Sequence, residues 1–195
     1  YFERYNKSFQ SEAALREVEL NNLKSQLNPH FIFNALNSIR ALVDEDPVKS
    51  KNAITQLSNI LRNSLIVERR QLVSFNDEIN TVKDYLALES IRYEERLQTG
   101  FHIAEGSNEF YLPPLMIQTL VENGIKHGIS NLKNGGIIEV KTDITREGLI
   151  IKIRNSGQFI QGTKASFGYG LLNTRKRLEL IYGESAKFQL QNEDK

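Results

Sequence analysis

The sequence contains no cysteine, which excludes disulfide bridges, thiolate nucleophiles and zinc sites with cysteine ligands. Only three histidines are present, so a metal site built from several histidines would need nearly all of them. The formal net charge of +1 gives no basic surface for nucleic acid or for an anionic membrane. No apolar run approaches the roughly 20 residues of a membrane helix, and no signal peptide is recognisable. Because the chain begins at Tyr1, we expect it to be a fragment of a longer protein.

The composition is otherwise that of a folded protein of one or two domains, with 195 residues, 39% of them hydrophobic and 25% charged. Residues 1 to about 43 are predicted to form one long helix that is broken only at Pro29. Apolar residues recur there at heptad spacing, in the two sets Phe2, Phe9, Leu23 and Ala13, Leu20, Leu27. The pattern favours a coiled coil that enters from upstream, and an amphipathic helix packed on its own domain is the alternative.

A second long helix is predicted after the turn at residues 44–47, where an aspartate precedes Pro47. Its apolar stripe at helical spacing consists of Ala53, Ile54, Leu57, Ile60, Leu61 and Leu65. Two helices joined by a short turn form an antiparallel hairpin. Because one hairpin has too little core to be stable, we expect two copies to pair as a four-helix bundle, which predicts a homodimer.

The chain after residue 70 is predicted to be an α/β layer domain, so the whole chain belongs to the α+β class. One helix is expected from the capping pair Ser74 and Asp77 to about residue 96, and another from the prolines at 113–114 to Gly128. A third helix is expected from about residue 170 to 182. Strands are expected at residues 72–75, 101–103, 110–112, 137–144, 149–154 and 187–190.

The first candidate for chemistry is His30, within Asn-Pro-His-Phe-Ile-Phe-Asn at residues 28–34. Proline removes a backbone donor just before the histidine, which a helix tolerates poorly without a reason. A neutral imidazole is an available nucleophile at cellular pH. A histidine of the core, or an unremarkable surface histidine, is the alternative.

The second candidate is the segment Glu-Asn-Gly-Ile-Lys-His at residues 122–127, at the end of its predicted helix. Asn123, Lys126 and His127 are spaced to share one helix face. An amide oxygen can ligate Mg²⁺, and the two basic side chains can contact phosphate oxygens. The alternative is structural, because basic residues favour the C-terminal end of a helix and Gly128 can cap it.

The third candidate, Asn155-Ser156-Gly157, ends a predicted strand. A short polar side chain followed by glycine can bind the edge of a base while the backbone approaches closely. An ordinary turn between a strand and a loop explains the same residues.

The fourth candidate, Gly168 to Asn173, leads into the last predicted helix. Glycines at a helix start leave backbone N–H groups free for an anion, and a simple hinge or cap is the alternative. Residues 158–167, between the third and fourth candidates, are predicted to form a mobile lid.

In this order and spacing, the four segments resemble those of the LytS/YehU-type sensor histidine kinases. Residues 28–34 match the phosphoacceptor box, residues 122–127 the N-box and residues 168–171 the second glycine box. The segments Leu-Ser-Asn-Ile-Leu-Arg at 57–62 and Tyr-Leu-Ala-Leu-Glu-Ser-Ile-Arg at 85–92 also resemble family signatures.

This resemblance implies three regions and a known type of fold. Residues 1–22 would be a signalling helix, residues 23–69 a helical hairpin for dimerisation and phosphorylation, and residues 70–195 a catalytic domain. That domain would be an α/β sandwich of the type shared by histidine kinases, gyrase, Hsp90 and MutL. The chain would be the cytoplasmic portion of a bacterial inner-membrane sensor, joined to the membrane through a segment upstream.

The resemblance also implies the chemistry. ATP-Mg²⁺ would be bound by Asn123 as the metal ligand, together with Lys126, His127, Asn155, Gly157, Gly168, Gly170 and Leu171. His30 would attack the γ-phosphoryl group and then pass it to an aspartate of a response regulator, typically of the LytTR type. Direct contact with nucleic acid would be left to that partner, in keeping with the modest net charge.

Two positions depart from the expected pattern. Asn155 stands where the family usually has an aspartate that binds adenine, a change expected to weaken ATP binding by about 1 kcal/mol. Phe31 follows His30 where many other histidine kinases have an acid, which leaves the general base unidentified. Glu122 is a candidate for that base only if the domain docks suitably. A signalling scaffold with weak or absent ATP binding is therefore the alternative function, and an ATP hydrolase that uses Glu122 is a third.

Overall fold

The computed structural model describes residues 28–66, 71–157 and 169–193. It begins with a helical hairpin, in which helix α1 spans Pro29–Glu45 and helix α2 spans Pro47–Ile66. Each helix has proline at its first position, where the missing N–H has no partner to lose. The side chain of Asn28 accepts a hydrogen bond from the backbone N–H of Phe31 at 3.2 Å, so α1 starts at Pro29. The predicted coiled coil of residues 1–22 lies outside the described residues.

The rest of the chain alternates strands and helices. In chain order the elements are β1 Val73–Ser74, α3 Phe75–Tyr93, β2 Leu97–His102, β3 Tyr111–Leu112, α4 Met116–His127, β4 Gly136–Thr145, β5 Gly148–Asn155 and α5 Tyr169–Tyr182. β1 and β3 form a small antiparallel sheet. The second sheet has the order β2–β4–β5, with β2 parallel to β4 and β4 antiparallel to β5. The predicted α+β class, the hairpin of helices and the β4–β5 hairpin are confirmed.

Helix α3 is the centre of the packing, since it contacts both hairpin helices, β2 and α4. Its residues Phe75 and Val82 are fully buried, as are Ile117 of α4 and Ile138 of β4. Full burial of such a side chain contributes roughly 1.5–3 kcal/mol. The hairpin and the α/β region that follows it therefore share one hydrophobic core.

Two expectations about buried or ordered segments are wrong. The strand predicted at residues 187–190 is irregular, and its Phe188 lines a cleft of about 260 Å³ beside α5. Four residues with an alternating pattern do not form a strand unless a neighbouring strand pairs with them by backbone hydrogen bonds. Ile54 and Leu65, predicted as part of a buried stripe, are 51% and 57% exposed, because the stripe on α2 is wider than the surface that α1 and α3 cover.

Among the helices of the described segments, none combines the length and the apolar character needed to cross a bilayer.

Candidate functional site

His30 is the second residue of α1, and its imidazole is exposed. The alternative of a histidine buried in the core is therefore wrong, whereas an unremarkable surface histidine agrees with this exposure as well as a nucleophile does. Asn34, one turn further along the helix, brings its Nδ2 to 3.2 Å from Nδ1 of His30 and 3.4 Å from Nε2. This contact restrains the ring and leaves it open to solvent. The arrangement presents a nucleophile at the start of the helix.

The neighbouring Phe31 points the opposite way and is buried. Its ring centroid lies 4.8 Å from that of Tyr85 on α3, in a tilted arrangement. Burial, followed by the nearby carboxylates of Glu122 and Glu89, raises the pKa of Tyr85 well above its usual value. The first turn of α1 is thus fixed to α3 through the residue that follows His30.

The first of the two further signature segments contacts α3 just before the second segment begins. Asn59 donates from Nδ2 to Oδ2 of Asp84 at 3.1 Å. Asn63 donates from Nδ2 to Oγ1 of Thr81 at 2.9 Å. Asn59 belongs to the segment at 57–62, and Asp84 directly precedes the segment at 85–92. These two bonds therefore join α2 of the hairpin to α3.

The N-box residues occupy the last two turns of α4. Asn123 is half-buried, whereas Lys126 and His127 are exposed, and their spacing places all three on one face as predicted. The helix ends at His127, and the N–H of Gly128 donates to the carbonyl of Gly124 at 2.9 Å. Gly128 therefore caps the helix as expected, although its φ of −97° is not left-handed.

Glu122 is half-buried on the same helix and accepts a hydrogen bond from Nε2 of Gln118 at 2.7 Å. Burial raises its pKa, while the Gln118 bond and the charge of Lys126 act in the opposite direction. A carboxylate whose pKa lies above its usual value is a better proton acceptor near neutral pH. Gln118 Oε1 is buried and has no hydrogen-bond partner among the described residues.

A narrow crevice separates α4 from the hairpin. Its lining residues are Asn28, Phe31, Ile32, Ile60, Leu61, Ser64, Gln118 and Glu122. Glu122 consequently faces the start of α1, where His30 is located. The structure brings Glu122, the candidate base, to the start of α1, although His30 itself does not line the crevice.

The first glycine segment follows directly on β5 and packs against the end of α4. Asn155 is the last residue of β5, and a Cβ added at Gly128 would lie 2.2 Å from its Nδ2. A Cβ added at Gly157 would lie 2.3 Å from Cα of Gly128. Ser156 secures the turn, since its Oγ accepts a bond from the N–H of Ile137 at 2.8 Å.

The second glycine segment packs on the first turn of α4. A Cβ added at Gly170 would lie 2.9 Å from Cγ2 of Thr119, and Leu171 is buried. Gly168 and the predicted lid lie outside the described residues. Close contacts within the chain thus account for the absence of a side chain at Gly157 and Gly170. The close approach of a nucleotide to these glycines stays a prediction.

The donor set fits a magnesium ion that is held mainly by nucleotide phosphates. Within the described segments, no group of three His, Asp or Glu side chains could hold a metal by itself. The amide of Asn123 offers one hard oxygen ligand, and Lys126 and His127 lie beside it on the helix. The site therefore suits a metal that arrives with its phosphate ligands.

Two residues next to the site were not predicted. Gln118 lies one turn before Glu122, and Asn34 lies one turn after His30. In both pairs the spacing of four residues along a helix is a signal that the sequence carries.

Comparison with known proteins gives a consistent result. A family model described as histidine kinase matches residues 18–97. Sensor protein LytS of Staphylococcus saprophyticus is 34% identical over 193 residues, covering 93% of this chain and 33% of the relative. Sensor protein LytS of Enterococcus faecalis is 32% identical over 190 residues, covering 91% of this chain and 32% of the relative.

Sensor histidine kinase/phosphatase LytS of Staphylococcus aureus is 31% identical over 191 residues, covering 91% of this chain and 33% of the relative. The chain therefore spans about one third of the length of these relatives. The chain belongs to the family of LytS-type sensor histidine kinases.

Proposed function

We propose that the chain is the phosphoacceptor and catalytic part of a two-component sensor kinase, which phosphorylates His30 from ATP. The observation that carries the proposal is the exposed imidazole of His30, which Asn34 holds at the start of α1. That helix packs on α3, which in turn contacts the N-box helix α4. A core histidine could not act as a nucleophile. The family membership supports the same reaction.

In the reaction, a lone pair on one ring nitrogen of His30 forms a bond to the γ-phosphorus. The bond from that phosphorus to the β,γ-bridging oxygen breaks, and ADP leaves with the electron pair. Asn34 holds the ring in orientation, which lowers the entropic part of the barrier. Glu122 accepts the proton that the ring loses, since it faces the start of α1 and burial raises its pKa.

The nucleotide would be bound along α4. Asn123 would ligate Mg²⁺, Lys126 and His127 would contact the phosphates, and Asn155 would bind adenine. Gly157, Gly168, Gly170 and Leu171 would complete the pocket. When bound, Mg²⁺ neutralises charge on the phosphate oxygens.

The chain would act as a homodimer through its hairpin. Several large apolar side chains of α1 and α2 are exposed in one copy, namely Phe33, Leu36, Val43, Ile54 and Leu65. Phe33 alone is 67% exposed. A second hairpin would cover them in a four-helix bundle, which supports the predicted dimer.

The phosphoryl group would pass from His30 to an aspartate of a response regulator, of the LytTR type according to the resemblance. The full-length protein would carry a sensor region and a membrane segment upstream, since the matched relatives are about three times longer than this chain. Contact with DNA would be left to the regulator.

The test is incubation of the chain with γ-labelled ATP and Mg²⁺. We expect a label that is lost in acid and absent from His30→Gln. His102→Gln is the matched control, because His102 is also exposed but lies on β2, and this variant should be labelled normally. Absence of label under conditions where ATP binds would overturn the proposal.

A signalling scaffold with weak or absent nucleotide binding is the second candidate. It is favoured by the packing of the Asn155 amide against Gly128, together with the absence of the usual aspartate. Calorimetric titration with an ATP analogue separates the two functions. Unmeasurable affinity that Asn155→Asp restores would support the scaffold.

A further inference from the structure

A buried glutamate from another helix caps the start of α4. Glu78 of α3 is 3% exposed, and its carboxylate accepts hydrogen bonds from the backbone N–H groups of Leu115, at 2.5 Å, and of Ile117, at 3.0 Å. The first N–H groups of a helix have no partner within it, so they need an acceptor from outside. No side chain at the start of α4 provides one. Glu78, which lies 37 residues before Leu115 in the sequence, is the acceptor for these N–H groups.

The backbone at this point has a conformation that requires support. Leu115 has a φ of 58°, in the left-handed region that costs free energy for any residue with a Cβ. Its N–H is one of the two groups bound by Glu78. The carboxylate therefore holds in place the residue from which α4 starts.

Arg177 of α5 also binds the backbone at the start of α4. Its Nη1 donates to the carbonyl of Pro114 at 2.9 Å, and its positive charge acts on the Glu78 carboxylate. The beginning of α4 is thus held by α3 through Glu78 and by α5 through Arg177.

Helices α4 and α5, which Glu78 and Arg177 hold in place, carry the two halves of the proposed nucleotide site, namely the N-box and the second glycine segment. Asn123 lies six residues after Ile117 on α4, which is about 9 Å along a rigid helix. On α5, Gly170 in the first turn touches Thr119 of α4. A shift at the start of α4 would therefore move Asn123 relative to α3 and change its alignment with the glycine segment of α5.

We propose that Glu78 and Arg177 are positioning residues of the nucleotide site, which fix α4 to α3 and α5 so that the N-box and the second glycine segment bind one nucleotide. The inference rests on the proposed function, since it assumes that this site binds ATP. Neither residue touches the nucleotide in this arrangement. Both act through α4.

The test measures the affinity of the full chain for a non-hydrolysable ATP analogue with Mg²⁺, by calorimetry, at a temperature where circular dichroism shows each variant to be folded. Glu78→Gln keeps the shape of the side chain but removes one of its two oxygen acceptors. Arg177→Met removes the guanidinium that donates to the carbonyl of Pro114. We expect each variant to raise the dissociation constant roughly tenfold, because a charge-assisted hydrogen bond that sets the geometry is lost. Arg177→Lys keeps a donor and should bind nearly as the parent chain does.

Two matched controls remove the same chemical groups elsewhere on the same helices. Glu89→Gln removes a second buried carboxylate of α3, which pairs with Arg92 at 3.5 Å. Arg175→Met removes an exposed guanidinium of α5, which pairs with Glu179 at 3.0 Å. Both controls should leave the dissociation constant within about twofold, since neither residue holds the start of α4.

A kinetic measurement separates positioning from a purely structural role. In Arg177→Met, labelling of His30 at saturating ATP should remain close to that of the parent chain, while the ATP concentration for half-maximal labelling rises. The inference is overturned if Glu78→Gln and Arg177→Met melt at lower temperature but bind the analogue as tightly as the parent. If the parent chain itself binds no analogue, the proposed function fails, and the inference fails with it.

Discussion

The ring of Phe31, the residue after the proposed phosphoacceptor, lies 4.8 Å from the ring of Tyr85 at an interplanar angle of 37°. Phe31 belongs to the hairpin and Tyr85 to α3, the first helix of the α/β region. The orientation of His30 is therefore linked to α3 through one adjacent side chain. Any rotation of α1 about its axis therefore has to repack this contact between the hairpin and α3.

The first prediction concerns this ring pair. Phe31→Ala should lower the free energy of unfolding by about 3 kcal/mol, because it leaves a cavity between α1 and α3. Chemical denaturation followed by circular dichroism measures the change. Leu180→Ala is the control, since Leu180 is 85% exposed on α5, and its effect should stay below about 0.5 kcal/mol. Equal effects of the two substitutions would contradict the packing described here.

The second prediction concerns the polar contact between Asn59 and Asp84. In a double-mutant cycle with Asn59→Ala and Asp84→Ala, we expect a coupling of roughly 1 kcal/mol, because the bond of 3.1 Å is partly buried and involves a charged acceptor. The control cycle pairs Asn59→Ala with Asp77→Ala, two turns earlier on α3, and should be additive. Additive effects in the first cycle would mean that the contact contributes nothing.

The local part of the fold was predictable from the sequence, and the long-range part was not. The capping pair of Ser74 and Asp77 and the shared face of Asn123 and Lys126 follow from spacing within one helix. The bond from Glu78 to the start of α4 spans 37 residues, and no local pattern marks it. For the same reason, helical spacing alone did not tell which residues of the α2 stripe would be covered.

The third prediction follows from the pKa of Glu78, which burial raises to about 7 against the opposing effects of backbone hydrogen bonds and Arg177. The folded chain therefore holds this proton more tightly than the unfolded chain, and stability falls as the pH rises from about 4.5 to about 7. The loss amounts to something on the order of 3 kcal/mol.

Denaturant titrations of the parent chain and of Glu78→Gln between pH 5 and 8 measure this effect. The unfolding free energy of the parent chain should fall relative to that of Glu78→Gln as the pH rises towards about 7, and the difference between the two chains should level off above that pH. Burial also raises the pKa of Glu89 and of Glu122, so some dependence on pH should remain in the variant. Identical slopes for both chains would show that Glu78 does not titrate in this range.

The fourth prediction concerns the dimer. Leu36→Glu places a charge on the exposed apolar side of α1 and should weaken association roughly a hundredfold, because the charge would be buried in the bundle without a partner. Sedimentation at several concentrations measures the effect. Leu180→Glu is the matched control, since Leu180 is exposed on α5, away from the hairpin. A parent chain that remains monomeric at all concentrations would contradict the proposed bundle.

The fifth prediction tests the contact between α4 and α5. Gly170→Ala should lower the free energy of unfolding by about 1–2 kcal/mol, because the added Cβ would lie 2.9 Å from Cγ2 of Thr119. Thr119→Ser removes that methyl group and keeps the hydroxyl, which donates to the carbonyl of Leu115 at 2.7 Å. The double variant should therefore regain most of the lost stability, as measured by thermal and chemical unfolding. If Thr119→Ser gives no rescue, the first turn of α5 does not pack on α4 at this point, and this contact does not hold the second glycine segment against α4.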